Sequence, residues 1–367
     1  MADTVHAAVL VEPRTIEVEE FPVPEVGEAD AVIRVEGTGI CGSDWAPYAG
    51  SFPVPLPPVI LGHEVVGRIQ AIGDEAARVW GLAEGDRVVV EEAIPCGRCT
   101  LCRRGLYALC DGLHGTAGRR YGMIPAADAP HLWGGYGDLM YIHPNSVVHR
   151  IDASLPVEIA PLYIPVSNGV AWVQGQGAGI GSTVLVQGPG QHGLGCVVGA
   201  REAGAAEIIV AGTGRDAARL EVARRLGATH TVDVDDGDLV EQVRELTDGR
   251  MCDLVVDVTS AAPAAAEVAL DLAAVAGTIV LAGFKEMRPL TSFLSDKIIM
   301  KALTVKGAWG HDQAAVRAAI GIIESRRHPL EEMCTHTFPL DQVDAALETL
   351  GGERGDPGIH ITIVPGS

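Results

Sequence analysis

Thr183-Val184-Leu185-Val186-Gln187-Gly188-Pro189-Gly190-Gln191-His192-Gly193 is the most informative run in this chain of 367 residues. Its first five residues read as a short buried strand. The next six match G-x-G-x-x-G and open onto an apolar helix, Leu194 to Ala203. In that setting the first glycine permits a tight turn, the second admits a pyrophosphate, and the third lets helix and strand pack closely. The helix N-terminus adds free N–H donors and the positive end of its dipole. Gly188, Gly190, Gln191, His192, Gly193 and Leu194 are therefore candidate dinucleotide-binding residues.

Outward from this run, strands and helices alternate. Strands are expected at 207–211, 254–258 and 278–281, with helices at 216–226 and 262–274. Alternation of this kind implies an α/β fold, a Rossmann-type doubly wound parallel sheet. The second strand ends in Gly212-Thr213-Gly214-Arg215, with no carboxylate at its tip. A carboxylate there would bind ribose hydroxyls and repel a 2′-phosphate. Thr213 and Arg215 can instead donate to a phosphate, which favours NADP(H). NAD(H) is the alternative, with Arg215 a solvated helix-start residue and Asp216 close by.

The first 156 residues have a different character. Period-two alternation at Val5, Ala7, Val9 and Val11, then short apolar runs at 31–35, 65–69 and 86–90, read as a mainly β region with glycine turns. Residues 47–58 are proline-rich and read as a loop. A last strand at 359–364 resembles this half and is expected to return to it. The division is thus 1–156 plus 305–367 for one domain and 157–304 for the dinucleotide-binding domain.

The β half holds two groups of metal-ligand residues. Cys41 is followed by Gly62-His63-Glu64, offering a thiolate, an imidazole and a carboxylate of the kinds zinc prefers. Cys96, Cys99, Cys102 and Cys110 form C-x₂-C-x₂-C-x₇-C, a spacing that closes a tetrahedral structural zinc site in a lobe at about 92–114. An iron–sulfur cluster is the rival for the four cysteines. The other thiols, Cys196, Cys252 and Cys334, read as buried small hydrophobes. A formal charge of −21 argues against nucleic acid and anionic membranes. No apolar run is long enough to span a bilayer. The start Met1-Ala2-Asp3-Thr4 lacks a signal-peptide pattern, so a cytoplasmic protein is expected.

Taken together, Cys41-Gly42-Ser43-Asp44, Gly62-His63-Glu64, the four-cysteine lobe, Gly134-Gly135-Tyr136-Gly137, the glycine loop and Leu226-Gly227-Ala228 resemble the zinc-dependent medium-chain dehydrogenase/reductase family over essentially the whole chain. The resemblance implies a partly open β-barrel catalytic domain with the Rossmann domain inserted in it, an active site in the cleft, and a homodimer or homotetramer. It implies Cys41 and His63 as catalytic zinc ligands, Glu64 as a carboxylate that can approach the metal, and Ser43 as the hydroxyl passing the substrate proton toward solvent. It also implies that backbone around Ala282, Gly283 and Phe284 holds the nicotinamide amide. Hydride would pass between the nicotinamide and a small-molecule alcohol, aldehyde or ketone, with zinc as Lewis acid.

One position departs from the family. Relatives carry a third zinc ligand, Cys, Asp or Glu, in a stretch like Leu-Leu-Glu-Pro-Leu. Here the stretch is Leu162-Tyr163-Ile164-Pro165-Val166, and isoleucine cannot bind zinc. Three readings stay open: Glu64 becomes the third ligand, another group such as Asp44, Asn168 or water substitutes, or the catalytic metal is lost. The last makes a zinc-free reductase of an activated alkene or carbonyl, with Ser43, Tyr48 or His63 as proton donor. A non-catalytic dinucleotide-binding protein is the remote alternative. Trp45, Tyr48, Phe52 and Trp133, with Ile164, suggest a bulky or aromatic substrate if they border the cleft, and core packing if they do not.

Overall fold

The computed structural model describes residues 4–110, 120–355 and 358–366. Residues 1–3, part of the start examined above, and 111–114 of the cysteine lobe lie outside the described residues. The chain divides into two compact units. The first is Met1–Ile164, Ile323–Ser325 and Cys334–Ser367; the second is Pro165–Ile322 and Arg326–Met333.

In the first unit, strands β1 (Thr4–Glu12), β2 (Thr15–Pro22) and β4 (Val59–Ile60) form a small antiparallel sheet. A larger sheet is built on β3 (Ala31–Gly39), β5 (Glu64–Ile72), β6 (Arg87–Val90), β7 (Leu139–Ile142) and β8 (Val148–Arg150). Their apolar residues converge on one core, with Val9, Ile33, Val65, Val88, Met140 and Ile363 all but inaccessible. Full burial of each such side chain is worth about 1.5–3 kcal/mol.

The second unit holds a six-stranded parallel sheet. Its strands are β9 (Thr183–Gln187), β10 (Glu207–Gly212), β11 (His230–Asp233), β12 (Cys252–Asp257), β13 (Ala273–Leu281) and β14 (Thr304–Gly307), in the order β11-β10-β9-β12-β13-β14. β9 is buried along its whole length, as a central strand covered on both faces should be. Helices Gln191–Ala203, Ala217–Leu226 and Pro263–Leu272 make the crossovers. The fold class is the expected one, an α/β protein with a Rossmann sheet and a second, mainly antiparallel unit. Residues 308–310 follow the sheet's last strand.

Two strands complete the larger antiparallel sheet: β15 (Cys334–Phe338) and β16 (His360–Ile363). β16 does return to the first unit, pairing antiparallel with β3 through Thr362 opposite Gly39. The boundary expected at 304/305 is displaced, however. β14 is the sixth strand of the parallel sheet, paired with β13 from Thr278–Thr304 to Leu281–Gly307. The chain therefore stays with the second unit to Ile322. The earlier crossing also moves, from 156/157 to 164/165, because residues 160–162 pack on β3 and β5.

Candidate active site and coenzyme-binding loops

Cys41, His63 and Glu64 are brought together. Their ligand atoms lie within 4.8 Å of one another, and all three residues are buried. Cys41 ends the chain segment after β3 and caps helix Gly42–Ala49. Asp44, at the third position of that helix, turns back to accept the Cys41 N–H at 3.0 Å. Its carboxylate also accepts from the Tyr136 hydroxyl at 3.0 Å and lies 3.4 Å from His63 Nδ1. Fully buried and so engaged, Asp44 orients the imidazole rather than serving as a ligand. Burial alone would lower the His63 pKa; the Asp44 charge, with hydrogen bonds involving Asp44 and Cys41, raises it well above the ordinary value.

Glu64 opens β5 directly opposite Gly39 of β3. A Cβ on Gly39 would stand 2.4 Å from Glu64 Oε2 and 2.6 Å from His360 Cε1. That glycine thus leaves room for a carboxylate and an imidazole, fully buried, with Glu64 Oε2 and His360 Nδ1 3.9 Å apart. On the other side of His63, Nε2 is 3.3 Å from Ser43 Oγ and 3.8 Å from Glu92 Oε2. Ser43 is exposed. Glu92 is itself paired with Arg120. Its neighbour Glu91 stands out no more in the sequence, so no local signal marked Glu92. Tyr163, next to Ile164, sends its hydroxyl to the carbonyls of Val90 and, at 3.4 Å, His63. Ile164 is buried beside it. Asn168 is not near being a free ligand: its amide meets His192 and His311.

The four cysteines of the lobe also converge, with their sulfurs within 4.8 Å of one another. The Cys96–Cys102 and Cys99–Cys110 sulfurs are each 4.0 Å apart. Tetrahedral zinc at about 2.3 Å from each sulfur would set them about 3.8 Å apart. Backbone N–H groups of Cys96, Cys99 and Cys102 each point at a sulfur at 3.3 Å. N–H groups of Arg98 and Cys99 draw the Cys96 thiol down to about 6, while burial foremost drives Cys102 up to about 12. The set fits one divalent zinc with no open position.

In the second unit, the glycine loop follows β9 and opens helix Gln191–Ala203, as expected. A Cβ on Gly193 would lie 1.9 Å from the Gly188 carbonyl, so no larger residue fits there. A Cβ on Gly190 meets nothing within 4 Å, leaving an open cradle at the helix N-terminus where a pyrophosphate fits. Leu194 is buried against the sheet side of this helix. At the tip of β10, the Thr213 hydroxyl donates to Asp216 at 2.7 Å rather than pointing free, and Arg219 neutralises Asp216. Arg215 is exposed and forms no ion pair among the described residues.

The Ala282 and Gly283 N–H groups are already spent on the Asp257 carbonyl, at 2.9 and 3.0 Å. The Phe284 carbonyl accepts from Ala261. A nicotinamide amide would be left the carbonyls of Ala282 and Gly283 and the Phe284 N–H. Lys285, which sequence reasoning missed, pins this segment: Nζ is 2.8 Å from buried Asp257 Oδ2 and donates to Thr259. Two of the aromatics named as substrate neighbours are core instead. Tyr48 and Trp133 are 2% and 6% exposed, and Tyr48 packs on Trp45. Cys196 and Cys252 are buried apolar thiols, as expected, with burial pushing Cys252 up to about 12.

A buried thiolate–imidazole–carboxylate group, a closed four-sulfur site and a glycine-loop Rossmann sheet define a metal-containing dehydrogenase. Comparison with known proteins agrees. The alcohol dehydrogenase GroES-like domain model matches residues 27–153, and the zinc-binding dehydrogenase model matches 193–325. A probable alcohol dehydrogenase of Mycobacterium tuberculosis is 40% identical over 365 residues, covering 98% of each chain. An erythritol/L-threitol dehydrogenase of Mycolicibacterium smegmatis is 30% identical, covering 99% of this chain and 98% of its own. Among solved structures, an alcohol dehydrogenase of Thermotoga maritima superposes with a TM-score of 0.86 at 26% identity, covering 99% of this chain and 100% of that one. A zinc-binding dehydrogenase from Sinorhizobium meliloti, bound to NADP, gives 0.85 at 26% identity with the same coverage. The chain belongs to the zinc-type medium-chain dehydrogenase/reductase family and is an NAD(P)-dependent oxidoreductase. Among the described residues no helix is long and apolar enough to cross a membrane.

Proposed function

We propose that this enzyme interconverts an alcohol and its aldehyde or ketone, with a zinc ion held by Cys41, His63 and Glu64. The convergence of those three ligand atoms within 4.8 Å carries the reading. Glu64 takes the place that Ile164 cannot fill, since Asp44 and Asn168 are engaged elsewhere. When bound, the metal supplies Lewis acidity to the substrate oxygen, and the dinucleotide supplies or accepts hydride. Asp44 holds the His63 ring by Nδ1, leaving Nε2 for the metal. Ser43 Oγ, exposed and on the Nε2 side, receives the substrate proton and passes it to solvent. The four cysteines bind the structural zinc.

NADP(H) is the proposed coenzyme, supported by exposed Arg215, which forms no ion pair among the described residues, and by the commitment of Asp216 to Thr213 and Arg219; NAD(H) is the alternative. A bulky or aromatic substrate now rests on Ile164 with half-buried Trp45 and Phe52, Tyr48 and Trp133 being core. We place the enzyme in the cytoplasm, where cysteines gathered at metal-ligand spacing, with no disulfide among the described residues, fit a reducing milieu. We further propose a homodimer or homotetramer. β14 is an edge strand near the exposed side chains Ile299 and Met300, and sedimentation of the full chain tests assembly.

Elemental analysis of protein purified without chelator is the primary test. Two zinc ions per chain, with turnover of alcohols or ketones, support the reading. One zinc per chain, unrestored by added metal, overturns it and leaves the zinc-free reductase of activated alkenes. No turnover of either coenzyme with any of these substrates would leave the non-catalytic alternative.

A further inference from the structure

Within the second unit, helix Tyr163–Val173 presents Asn168 and Trp172, four residues apart and so on one face. Each reaches the same two loops. Asn168 Nδ2 lies 3.3 Å from His192 Nδ1, and its Oδ1 lies 3.0 Å from His311 Nδ1. Trp172 Nε1 donates to the Gly310 carbonyl at 2.9 Å, and its ring centre is 5.6 Å from that of His192. Asn168, Trp172 and His311 are buried.

The chemistry of these contacts fixes more than position. An amide nitrogen can only donate, so His192 Nδ1 accepts and a neutral His192 carries its proton on Nε2. The amide oxygen can only accept, so His311 carries a proton on Nδ1. One asparagine thereby sets the tautomer of both rings.

The two loops belong to different parts of the sheet. His192 lies in the first turn of helix Gln191–Ala203, directly after the glycine loop of β9; Gly310 and His311 follow β14. Strands β12 and β13 lie between β9 and β14. Ligands of open parallel sheets bind beyond the carboxyl ends of the strands, so a dinucleotide whose pyrophosphate sits at the β9 loop extends past these intervening ends. The contacts of Asn168 and Trp172 tie together the loops on either side of that path.

We propose that Asn168 and Trp172 are positioning residues that hold the phosphate-binding loop and the loop after β14 in fixed register, so that both ends of one nicotinamide dinucleotide meet a single preformed template. The proposal rests on the dinucleotide reading given above. It predicts that breaking the tie weakens capture of the whole dinucleotide while sparing its adenosine-diphosphate end.

Asn168→Leu removes the polar links at similar volume, and Trp172→Phe keeps an aromatic ring but loses the N–H. In the full-length protein, calorimetric titration with ADP-ribose and 2′-phospho-ADP-ribose, which lack nicotinamide, is set against titration with NAD(H) and NADP(H). Expected is a loss of about tenfold in affinity for the complete dinucleotide in each variant, with fragment affinity held to about twofold. Fluorescence of the bound reduced nicotinamide should move toward that of free coenzyme. Equal weakening of fragment and whole, or no weakening of either, overturns the proposal. Failure of wild-type protein to bind any of these probes overturns the dinucleotide reading itself. Should Asn168→Leu not fold, Trp172→Phe decides alone.

Discussion

The two clusters of metal-ligand side chains in the first unit solve opposite problems. The cysteine lobe draws four thiols from residues 96–110, surrounds them with backbone N–H donors, and lies partly open to solvent. The Cys41–His63–Glu64 group takes its ligands from two separated segments and buries them completely among polar partners. In the lobe the proposed metal would substitute for a hydrophobic core. In the buried group the protein's core holds the ligands whether or not metal is present. The first should therefore be a folding device, and the second a reaction site that tolerates an open position.

The largest expected effect follows from that contrast. Cys99→Ser should release the structural zinc and unfold the lobe, because zinc binding is worth on the order of 10 kcal/mol in small domains that fold around the metal. Limited proteolysis should then cut within 96–110, with zinc content reduced by one ion per chain. An intact lobe would mean that packing, not metal, holds it. Next in size is Cys41→Ala. Activity should fall on the order of 10³-fold, as loss of a Lewis acid implies, while the melting temperature changes far less than in Cys99→Ser. Equal destabilisation by the two substitutions would erase the distinction.

The sequence disclosed one cluster more fully than the other, and for a physical reason. The lobe is local: its four ligands and their N–H donors follow from short spacings. The buried group is assembled by strand pairing. Cys41 and His63 could be named, but their support could not. Asp44 reads as one possible substitute zinc ligand until Tyr136, ninety-two positions away, is seen to donate to it. Glu92 and His360 likewise reach the site only through sheet register. The parallel sheet was legible in its continuous apolar strands. Its two edge strands, β11 and β14, were not, because their residues are mostly half-buried or exposed and no buried run announced them. Tyr48 lies in the proline-rich stretch 47–58 that reads as loop, yet its ring is core, because helix Gly42–Ala49 runs on through Pro47 and Tyr48.

Asp44→Asn sharpens the comparison at intermediate size. Among the described residues of the lobe it is backbone N–H groups that meet the sulfurs, whereas the buried group has a carboxylate that faces His63 and also holds the Cys41 N–H. An amide keeps the shape but loses the charge facing His63 Nδ1. Metal affinity at the buried site should fall about 10- to 100-fold. The structural zinc should stay, giving a stepwise loss on titration with chelator. Simultaneous release of both ions would show that the two sites are not energetically separate.

The smallest effect tests whether Glu64 is the third ligand. Ile164→Glu introduces the residue type that the family resemblance leads one to expect there. If Cys41, His63 and Glu64 already hold the metal, the added carboxylate completes a set of four protein ligands. The buried site then becomes closed, like the cysteine lobe. Retention of the metal against chelator should improve by about tenfold, the gain being limited by the cost of burying another charge. Turnover should fall by a similar factor, because the substrate oxygen must displace a protein ligand. Higher turnover with tighter metal would show instead that the position was wanting a ligand all along and that Glu64 does not supply it. Cobalt substitution, read by visible absorption, separates the outcomes. A four-coordinate set with one more protein oxygen shifts the spectrum of the substrate-free enzyme and makes it insensitive to added alcohol, whereas an open site continues to respond.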